Sequence, residues 1–374
     1  MENKSVREYL FNKLFFPKSV ILNEPGIIIS RTFKRFSKQY IQQRRLTMHF
    51  DEIMSRLQLA TSGKLGKKQS SDLWYKIGKE SAMRNFLFHG DKKIPLFLVN
   101  STLSKIFTAF QSAGMPKIEK INFNPKLKSL IIKGKTPFIQ NQPIEVSIYA
   151  GVVSGVISWL LNENLESEFR FINDKKEFVI ISNMEINEIH IVNKEKLKPS
   201  SNFARINFKK QENRGYYSFN DLIRFRKIKV DKNGRMYFKN KLIVCSEIGL
   251  LGIIYYQYKQ VSHDNLFQET LTTISQDFFK EIFEDISFKK NKIKLFLSLL
   301  SAFGWGIPHL KTRDNHEVEL TLVGPPITRY GFLYEASVIN GFFNYVFGVS
   351  FQLQSIKNRF DPRKIVITYL ARNP

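Results

Sequence analysis

Apolar and polar positions along the chain form two series of predicted elements that occur in the same order. Each series begins with a hairpin, at residues 20–29 in the first and 228–238 in the second. The pair Asn233-Gly234 supports the second hairpin, because these residues tolerate the positive φ of a tight turn. Apolar residues spaced three and four apart then predict three helices in each series. The predicted helices cover residues 50–59, 71–88 and 100–113, and then 247–261, 266–286 and 292–303.

The two series also end in the same way. A short apolar strand comes after the helices, at residues 129–133 and 318–323, and a polar loop follows it. A glycine-containing helix and a closing strand complete each series, the closing strands at 177–181 and 364–369. Helices follow one another between hairpins without strand–helix–strand alternation, which favours an antiparallel sheet covered by helices. The predicted fold class is therefore α/β of the α+β type.

Constant offsets between matching residues indicate that the two series are copies. Two glycine pairs are each 190 positions apart, Gly114 with Gly304 and Gly134 with Gly324. A loop that is four residues shorter in the second copy then changes the offset to 186, which aligns residues 150–155 with 336–341. We therefore predict two tandem domains that close on each other as an intramolecular pseudo-dimer. The predicted division is an N-terminal extension at 1–18, a first domain at 19–193, a basic linker at 194–223 and a second domain at 224–374.

The glycine-containing helix of the first copy, residues 149–161, together with the strands after it, resembles the end of a 4-vinyl reductase domain. Residues 73–80 are similar to that family's first long helix, and residues 335–341 repeat the scheme in the second copy. The resemblance implies the fold shared by 4-vinyl reductase domains, haem-type nitric-oxide sensors and TRAPP tethering subunits. It further implies domains that dimerise and enclose an apolar pocket for an aromatic, a haem or an acyl chain. Many members carry a cysteine pair near the last strands that can hold a metal; this chain has no cysteine there, so no metal role is carried over.

A ligand pocket is expected beside the glycine-containing helices, at or near the interface of the two halves. Its predicted residues are Gly151, Gly155, Trp159, Gly341, Tyr345 and Phe347. A second interpretation of the glycines is purely structural, because small residues one turn apart let a helix pack closely against a neighbouring backbone.

The formal net charge of +25 produces a field that attracts polyanions such as nucleic acid. Basic residues are interleaved with aromatic ones in two segments, where cations would neutralise phosphates and rings would stack on bases. The predicted nucleic-acid-binding residues are Arg31, Lys34, Arg35, Lys38, Arg44, Arg45, Arg205, Lys209, Lys210, Arg214, Arg224, Arg226 and Lys227. A solvated basic face with its rings turned inward explains the same pattern.

Catalytic and metal-binding patterns are weak in this sequence. The single cysteine, Cys245, lies in an apolar stretch where a thiol behaves as a small hydrophobe, and there is no Gly-x-Ser-x-Gly elbow. None of the six histidines pairs with another at helical or strand spacing. The glycine- and lysine-containing loop at 63–71 lacks the spacing of a phosphate-binding loop. We expect no enzyme, no cofactor and no metal; tetrapyrrole reduction, which the family name suggests, lacks a cofactor motif.

The sequence thus predicts a non-enzymatic regulatory protein whose tandem domains hold an apolar small molecule or a protein partner. The alternative is a protein that binds nucleic acid or a ribonucleoprotein such as the ribosome through its basic loops. The longest apolar run, residues 149–161, is too short to cross a bilayer, so the expected location is the cytoplasm. The expected assembly is a monomer with an internal pseudo-dimer, or a homodimer.

Overall fold

The computed structural model describes most of the chain. The described residues are 20–22, 24–32, 42–87, 94–135, 143–172, 177–187, 190, 192, 216–231, 234–262, 264–313, 316–326, 331–359 and 364–372.

The described residues contain the predicted hairpins, helices and strands in their predicted order, together with further strands and one helix that were not predicted. The strands are β1 (Val20–Ile21), β2 (Ile28–Thr32), β3 (Gln42–Phe50), β4 (Lys117–Asn124), β5 (Ser129–Lys135), β6 (Glu166–Ile172), β7 (Glu177–Asn183), β8 (Ile228–Val230), β9 (Met236–Phe238), β10 (Lys241–Glu247), β11 (Ile307–Arg313), β12 (Glu317–Val323), β13 (Phe351–Arg359) and β14 (Lys364–Ala371). The helices are α1 (Asp51–Leu65), α2 (Lys67–Leu87), α3 (Val99–Ser112), α4 (Pro143–Leu161), α5 (Phe219–Arg224), α6 (Gly249–Lys259), α7 (Asp264–Phe283), α8 (Lys289–Ala302) and α9 (Leu333–Phe347). A short 3-10 helix, Leu96–Leu98, precedes α3.

Contacts divide the chain into two compact units. The first comprises Met1–Ile53 and Asn202–Pro374, and the second comprises Met54–Ser201. The N-terminal strands belong to the first unit because β3 pairs with β10 in a single sheet. The predicted domain boundaries follow the repeat along the sequence instead, and they stay a prediction.

The first unit contains a six-stranded antiparallel sheet in the order β1-β2-β3-β10-β9-β8. At its centre Met48 of β3 lies opposite Cys245 of β10. A four-stranded antiparallel sheet in the order β11-β12-β14-β13 belongs to the same unit, as do helices α5 to α9. Phenylalanines fill much of the core, and the rings of Phe296 and Phe342 stack with centroids 3.7 Å apart.

The second unit has a four-stranded antiparallel sheet in the order β4-β5-β7-β6, together with helices α2, α3 and α4. Strand β5 alternates buried and exposed positions, with Leu130 and Ile132 buried and Ile131 turned outward. This alternation places one face of the sheet on an apolar core and the other in solvent. Helix α4 is buried along most of its length, which matches its nearly continuous apolar sequence.

The expected α+β class with antiparallel sheets packed against helices is confirmed. Residues 20–183 and 228–371 each give three strands, three helices, two strands, one helix and two strands, apart from the short 3-10 helix. This is the order that a duplication would produce; the duplication and the pseudo-dimer stay predictions. Within the described part of the chain, no helix is long and apolar enough to cross a membrane.

Candidate functional site

A cavity lined by aromatic and aliphatic side chains lies in the first unit; we call it the Tyr334 cavity. Four segments of the chain supply its wall. They are the end of β3 with the start of α1, helix α7, helix α8 with the turn after it, and helix α9. The lining residues are His49, Phe50, Ile53, Phe279, Phe296, Leu299, Leu300, Phe303, Trp305, Tyr334 and Val338. Their rings meet edge-on, as in the pair Phe50 and Phe303 with centroids 5.2 Å apart. Such a lining is typical of a site for an apolar ligand.

Three residues of this wall carry polar groups. The indole of Trp305 donates to the carbonyl of Met48 at 2.9 Å. His49 is buried, and its Nδ1 lies 3.5 Å from the hydroxyl of Ser246. Burial lowers the pKa of His49 to about 4, so the imidazole is neutral at pH 7. The hydroxyl of Tyr334 has no hydrogen-bond partner among the described residues, although the residue is 1% exposed.

The centre of a water molecule can move within a volume of about 20 Å³ in the Tyr334 cavity, and we take this as its free volume. That space holds about one water, since one water needs roughly 10–15 Å³ by the same measure. An engineered protein cavity that accepts a benzene ring measures roughly 150 Å³. Side chains of the wall must therefore move before a ring can enter.

A second cavity of about 20 Å³ lies in the second unit, between α3, α4 and the sheet. Its lining residues are Phe107, Phe110, Met115, Pro116, Ile118, Tyr149, Val152, Val153, Phe178 and Ile180. Three of these align with the wall of the Tyr334 cavity at the offsets found in the sequence. The aligned pairs are Phe110 with Leu300, Met115 with Trp305, and Val152 with Val338.

The glycines predicted to line a pocket serve helix packing instead. A Cβ on Gly151 would lie 2.0 Å from the carbonyl oxygen of Tyr75, and one on Gly155 would lie 2.6 Å from that of Lys79. In the first unit, a Cβ on Gly341 would lie 2.5 Å from the carbonyl oxygen of Thr272. Each glycine thus lets its helix touch the backbone of a neighbouring helix, α2 or α7, and leaves no room there for a ligand.

The predicted aromatic pocket residues lie outside both cavity walls. Trp159 stacks on Phe86 with ring centroids 4.8 Å apart. Tyr345 accepts a hydrogen bond from Lys292 Nζ at 2.6 Å, and the Nζ of Lys289 lies 3.7 Å from the ring centroid of Phe347. The glycine-containing helices do border the cavities, but with other residues: α4 with Tyr149, Val152 and Val153, and α9 with Tyr334 and Val338.

The second unit also contains a buried ionic cluster. Lys79 Nζ donates to Glu166 Oε1 at 2.7 Å, and Tyr75 donates its hydroxyl proton to Glu166 Oε2 at 2.5 Å. Lys79 further donates to Asn164 Oδ1 and to the carbonyl of His190. Burial acts to raise the pKa of Glu166, but the hydrogen bonds from Lys79 and Tyr75 outweigh it and hold the pKa below its usual value. Because its charges are paired and hydrogen-bonded, this cluster has the character of a structural element.

The predicted nucleic-acid-binding residues fall into four groups. Arg224, Arg226 and Lys227 are exposed, between α5 and β8. Arg45 is buried, and its guanidinium donates to backbone carbonyls, so it is not available to a phosphate and leaves the predicted set. Arg31 and Arg44 lie in β2 and β3, where only the backbone is described. The others lie outside the described residues: Lys34, Arg35, Lys38, Arg205, Lys209, Lys210 and Arg214.

His49 and Tyr334, two of the three wall residues with polar groups, were not predicted as site residues from the sequence. His49 is isolated from other histidines along the sequence. Tyr334 directly precedes residues 335–341, the part of the second copy that resembles the 4-vinyl reductase helix. No local signal marks them, because the wall is built from segments up to 289 positions apart, from His49 to Val338. Within the described residues, no group of three metal-ligating side chains occurs, and burial raises the pKa of the Cys245 thiol to about 12.

Comparisons with known proteins give little. No protein-family model and no curated protein matches the chain. Among solved structures, the chain is similar to the phenol-responsive sensory domain of the transcription activator PoxR, crystallised with phenol. The identity is 9%, the match covers 50% of this chain and 93% of that one, and the TM-score is 0.30. A TM-score of this size does not establish a shared fold.

Proposed function

We propose that this chain is a non-enzymatic, ligand-binding regulatory protein. Its ligand is a small aromatic molecule with one hydrogen-bonding group, held in the Tyr334 cavity. The observation that supports this most directly is the hydroxyl of Tyr334, which lacks a partner among the described residues inside a mostly apolar wall.

An unpartnered buried hydroxyl is destabilising by about 1–3 kcal/mol, because it has given up its hydrogen bonds to water. A ligand hydroxyl in the cavity would restore one such bond. The neutral imidazole of His49 in the same wall offers a second acceptor or donor without introducing a charge. The surrounding Phe50, Phe296 and Phe303 would contact the ring of the ligand by edge-on and stacked packing.

The small free volume gives the site a regulatory character. Because a ring needs more space than the closed cavity offers, binding must displace side chains of α8 or α9. Binding of this kind changes the packing of the elements that form the wall, and a partner that contacts those elements can read the change. This supports the proposal of a sensor.

The experiment uses the purified full-length chain and two probes of nearly equal size, phenol and benzene. Isothermal titration calorimetry gives the dissociation constant of each, and the melting temperature is measured with each probe at millimolar concentration. We expect both probes to raise the melting temperature and phenol to bind more tightly. Tyr334→Phe should weaken the binding of phenol roughly two- to twelvefold, which corresponds to the loss of one hydrogen bond. The affinity for benzene should stay unchanged.

Tyr149→Phe is the matched control, since Tyr149 lines the other cavity. It should alter neither affinity. Failure of both probes to bind the native chain would refute the proposed function. Equal weakening of phenol by both tyrosine variants would refute the assignment of the site.

A further inference from the structure

From the end of helix α5 through strand β8, the chain presents a run of basic and apolar side chains to solvent; we call it the β8 edge. Its exposed residues are Arg224, Phe225, Arg226, Lys227, Lys229 and Val230. The Arg224 side chain is 71% exposed, and Phe225 and Val230 are 46% and 48% exposed. An exposed ring beside cations can serve as a binding surface, because it offers stacking and charge at one place.

Buried anchors hold the β8 edge in a defined shape. Helix α5 starts with a capping box between Ser218 and Asp221, and Leu222 and Ile228 are buried on either side of the turn. The backbone N–H of Lys227 donates to the carbonyl of Leu222 at 2.9 Å. Arg226 takes a positive φ of 55°, a conformation that persists where the surrounding structure enforces it. The backbone that carries the exposed groups therefore has a defined shape.

The ring of Phe225 is the centre of this surface. The guanidinium carbon of Arg224 lies 5.0 Å from its centroid, and the ring of Tyr217 meets it edge-on at 5.2 Å. These contacts orient the ring while nearly half of the residue stays open to solvent. An oriented, exposed ring next to guanidinium groups is a platform on which a base can stack.

The cations of the β8 edge are only partly neutralised: Lys227 interacts electrostatically with Asp285, but beyond ion-pair distance. Asp221 pairs with Arg224 at 3.3 Å. No carboxylate of the described residues lies within 4.0 Å of the cations of Arg226, Lys227 or Lys229. Since the chain as a whole carries +25, the charge complement of this surface is a polyanion.

Strand β8 lies at one end of the six-stranded sheet, and no described strand pairs with its outer side. Lysine on an edge strand also discourages unwanted strand pairing, which accounts for Lys229. It does not account for the exposed Phe225 or for the three cations next to it. Helix α5 has six residues, too few to serve as a groove-reading helix for duplex DNA.

From these observations we infer that the β8 edge binds single-stranded nucleic acid, with Phe225 stacking on a base and Arg226, Lys227 and Lys229 contacting phosphates. This activity is separate from the Tyr334 cavity and does not depend on it.

The test is fluorescence anisotropy of the full-length chain with labelled 12-nucleotide single strands of RNA and of DNA, over a series of salt concentrations. The triple variant Arg226→Gln, Lys227→Gln, Lys229→Gln should lose at least tenfold in affinity. Its salt dependence should also fall, by about 2 in the slope of log affinity against log salt, since each phosphate contact contributes about 0.7. Phe225→Ala should lower the affinity roughly fivefold to 150-fold and leave the slope of log affinity against log salt unchanged.

Matched controls separate the site from net charge. The triple variant Lys311→Gln, Arg313→Gln, Lys357→Gln removes the same charge from exposed positions on β11 and β13, and Phe288→Ala removes another exposed ring. Both should keep native affinity, and circular dichroism should show all variants folded. Equal losses in the control triple, an unaffected Phe225→Ala, or binding to phosphatidylserine vesicles in place of oligonucleotides would overturn the inference.

Discussion

The guanidinium of Arg45 donates a hydrogen bond to the carbonyl oxygen of Gly304, 2.9 Å away and 259 positions further along the chain. It also donates to the carbonyls of Gly26 and Pro325, at 3.0 and 3.1 Å, and to that of Gly324. One buried cation thus joins the turn before β2, the turn after α8 and the turn after β12. A residue that the sequence marks as a surface cation is a central support of the first unit.

Arg45→Met should therefore lower the free energy of unfolding by about 3 kcal/mol or more. The substitution keeps most of the apolar volume but leaves several buried carbonyls without a donor. Urea denaturation followed by circular dichroism measures the change. Arg224→Met, at an exposed position, should stay within about 0.5 kcal/mol of the native chain. Similar values for the two variants would contradict the buried role of Arg45.

Gly151→Ala should destabilise the second unit strongly, because the added Cβ would lie 2.0 Å from a backbone oxygen of α2. Helices α2 and α4 would have to separate, which we expect to cost at least about 2 kcal/mol. Gly63→Ala in α1 is the matched control, since nothing lies within 4 Å of its added Cβ. That control should stabilise the chain by roughly 0.5–1 kcal/mol through helix propensity. Thermal melts of the two variants should shift in opposite directions, and a shift in the same direction would rule out the packing role.

Glu335 should make stability fall as pH rises from about 5 to 8. Burial raises the pKa of this carboxyl from 4.5 to about 8, so the folded chain holds a proton that the unfolded chain releases. Between these two pKa values, the free energy of unfolding decreases by roughly 1.4 kcal/mol per pH unit. Above pH 8 both states are ionised, and this dependence levels off.

Glu335→Gln isolates this effect, because every other titrating group is shared with the native chain. Among these is His49, whose lowered pKa causes a loss of stability as pH falls from 6.5 to about 4. Urea denaturation at pH 5, 6, 7 and 8 should show that the free energy of unfolding of the variant rises relative to that of the native chain at each step. Parallel curves would mean that Glu335 is ionised in the folded protein.

Lys79→Met should cost about 3–5 kcal/mol in unfolding free energy, since it leaves the Glu166 carboxylate buried without its counter-ion. The double variant Lys79→Met, Glu166→Gln should recover part of that loss. Lys128→Met, which breaks the half-exposed pair with Glu163, should cost at most about 1 kcal/mol. A denaturant series over the variants gives the coupling energy, and additive effects of the two cluster substitutions would disprove the coupling.

Leu300→Ala should enlarge the Tyr334 cavity and improve the binding of benzene, although it lowers stability by about 2–5 kcal/mol. Leu271→Ala removes an equally buried leucine that is absent from the cavity wall, so it should lose stability without any gain in affinity. Calorimetric titration of both variants makes the comparison. A gain in Leu271→Ala, or none in Leu300→Ala, would show that the ring binds elsewhere.

Much of the fold was predictable from local signals. The hairpin formed by β8 and β9 lies where the turn at Asn233-Gly234 was expected, and α7 differs from its predicted range by two or three residues at each end. Strand β3 was missed because its first residues are polar. Further along this strand, the polar residues Arg45, Thr47 and His49 are buried, as are the apolar residues Met48 and Phe50. Residues 46–50 do alternate apolar and polar, as a half-buried strand would, but the folded chain buries both sets of side chains.

The candidate site was much less predictable. The sequence identified the glycine-containing helices, but it could not tell which face of each helix borders a cavity and which face packs on backbone. Gly151 and Val152 are neighbours in the chain, yet one contacts the backbone of α2 and the other lines a cavity. This choice depends on where the adjacent helix lies.

By itself, the sequence determined the order of the predicted hairpins, helices and closing strands, the α+β class and the strongly basic character, because turn residues, periodicity and charge act over a few neighbouring positions. The tertiary structure alone decided that Arg45 and His49 are buried, that the glycines serve helix contacts, and that Tyr334 lies in an apolar wall. Those outcomes depend on contacts between residues far apart in the chain, and the free energy of such contacts exists only once the chain has folded.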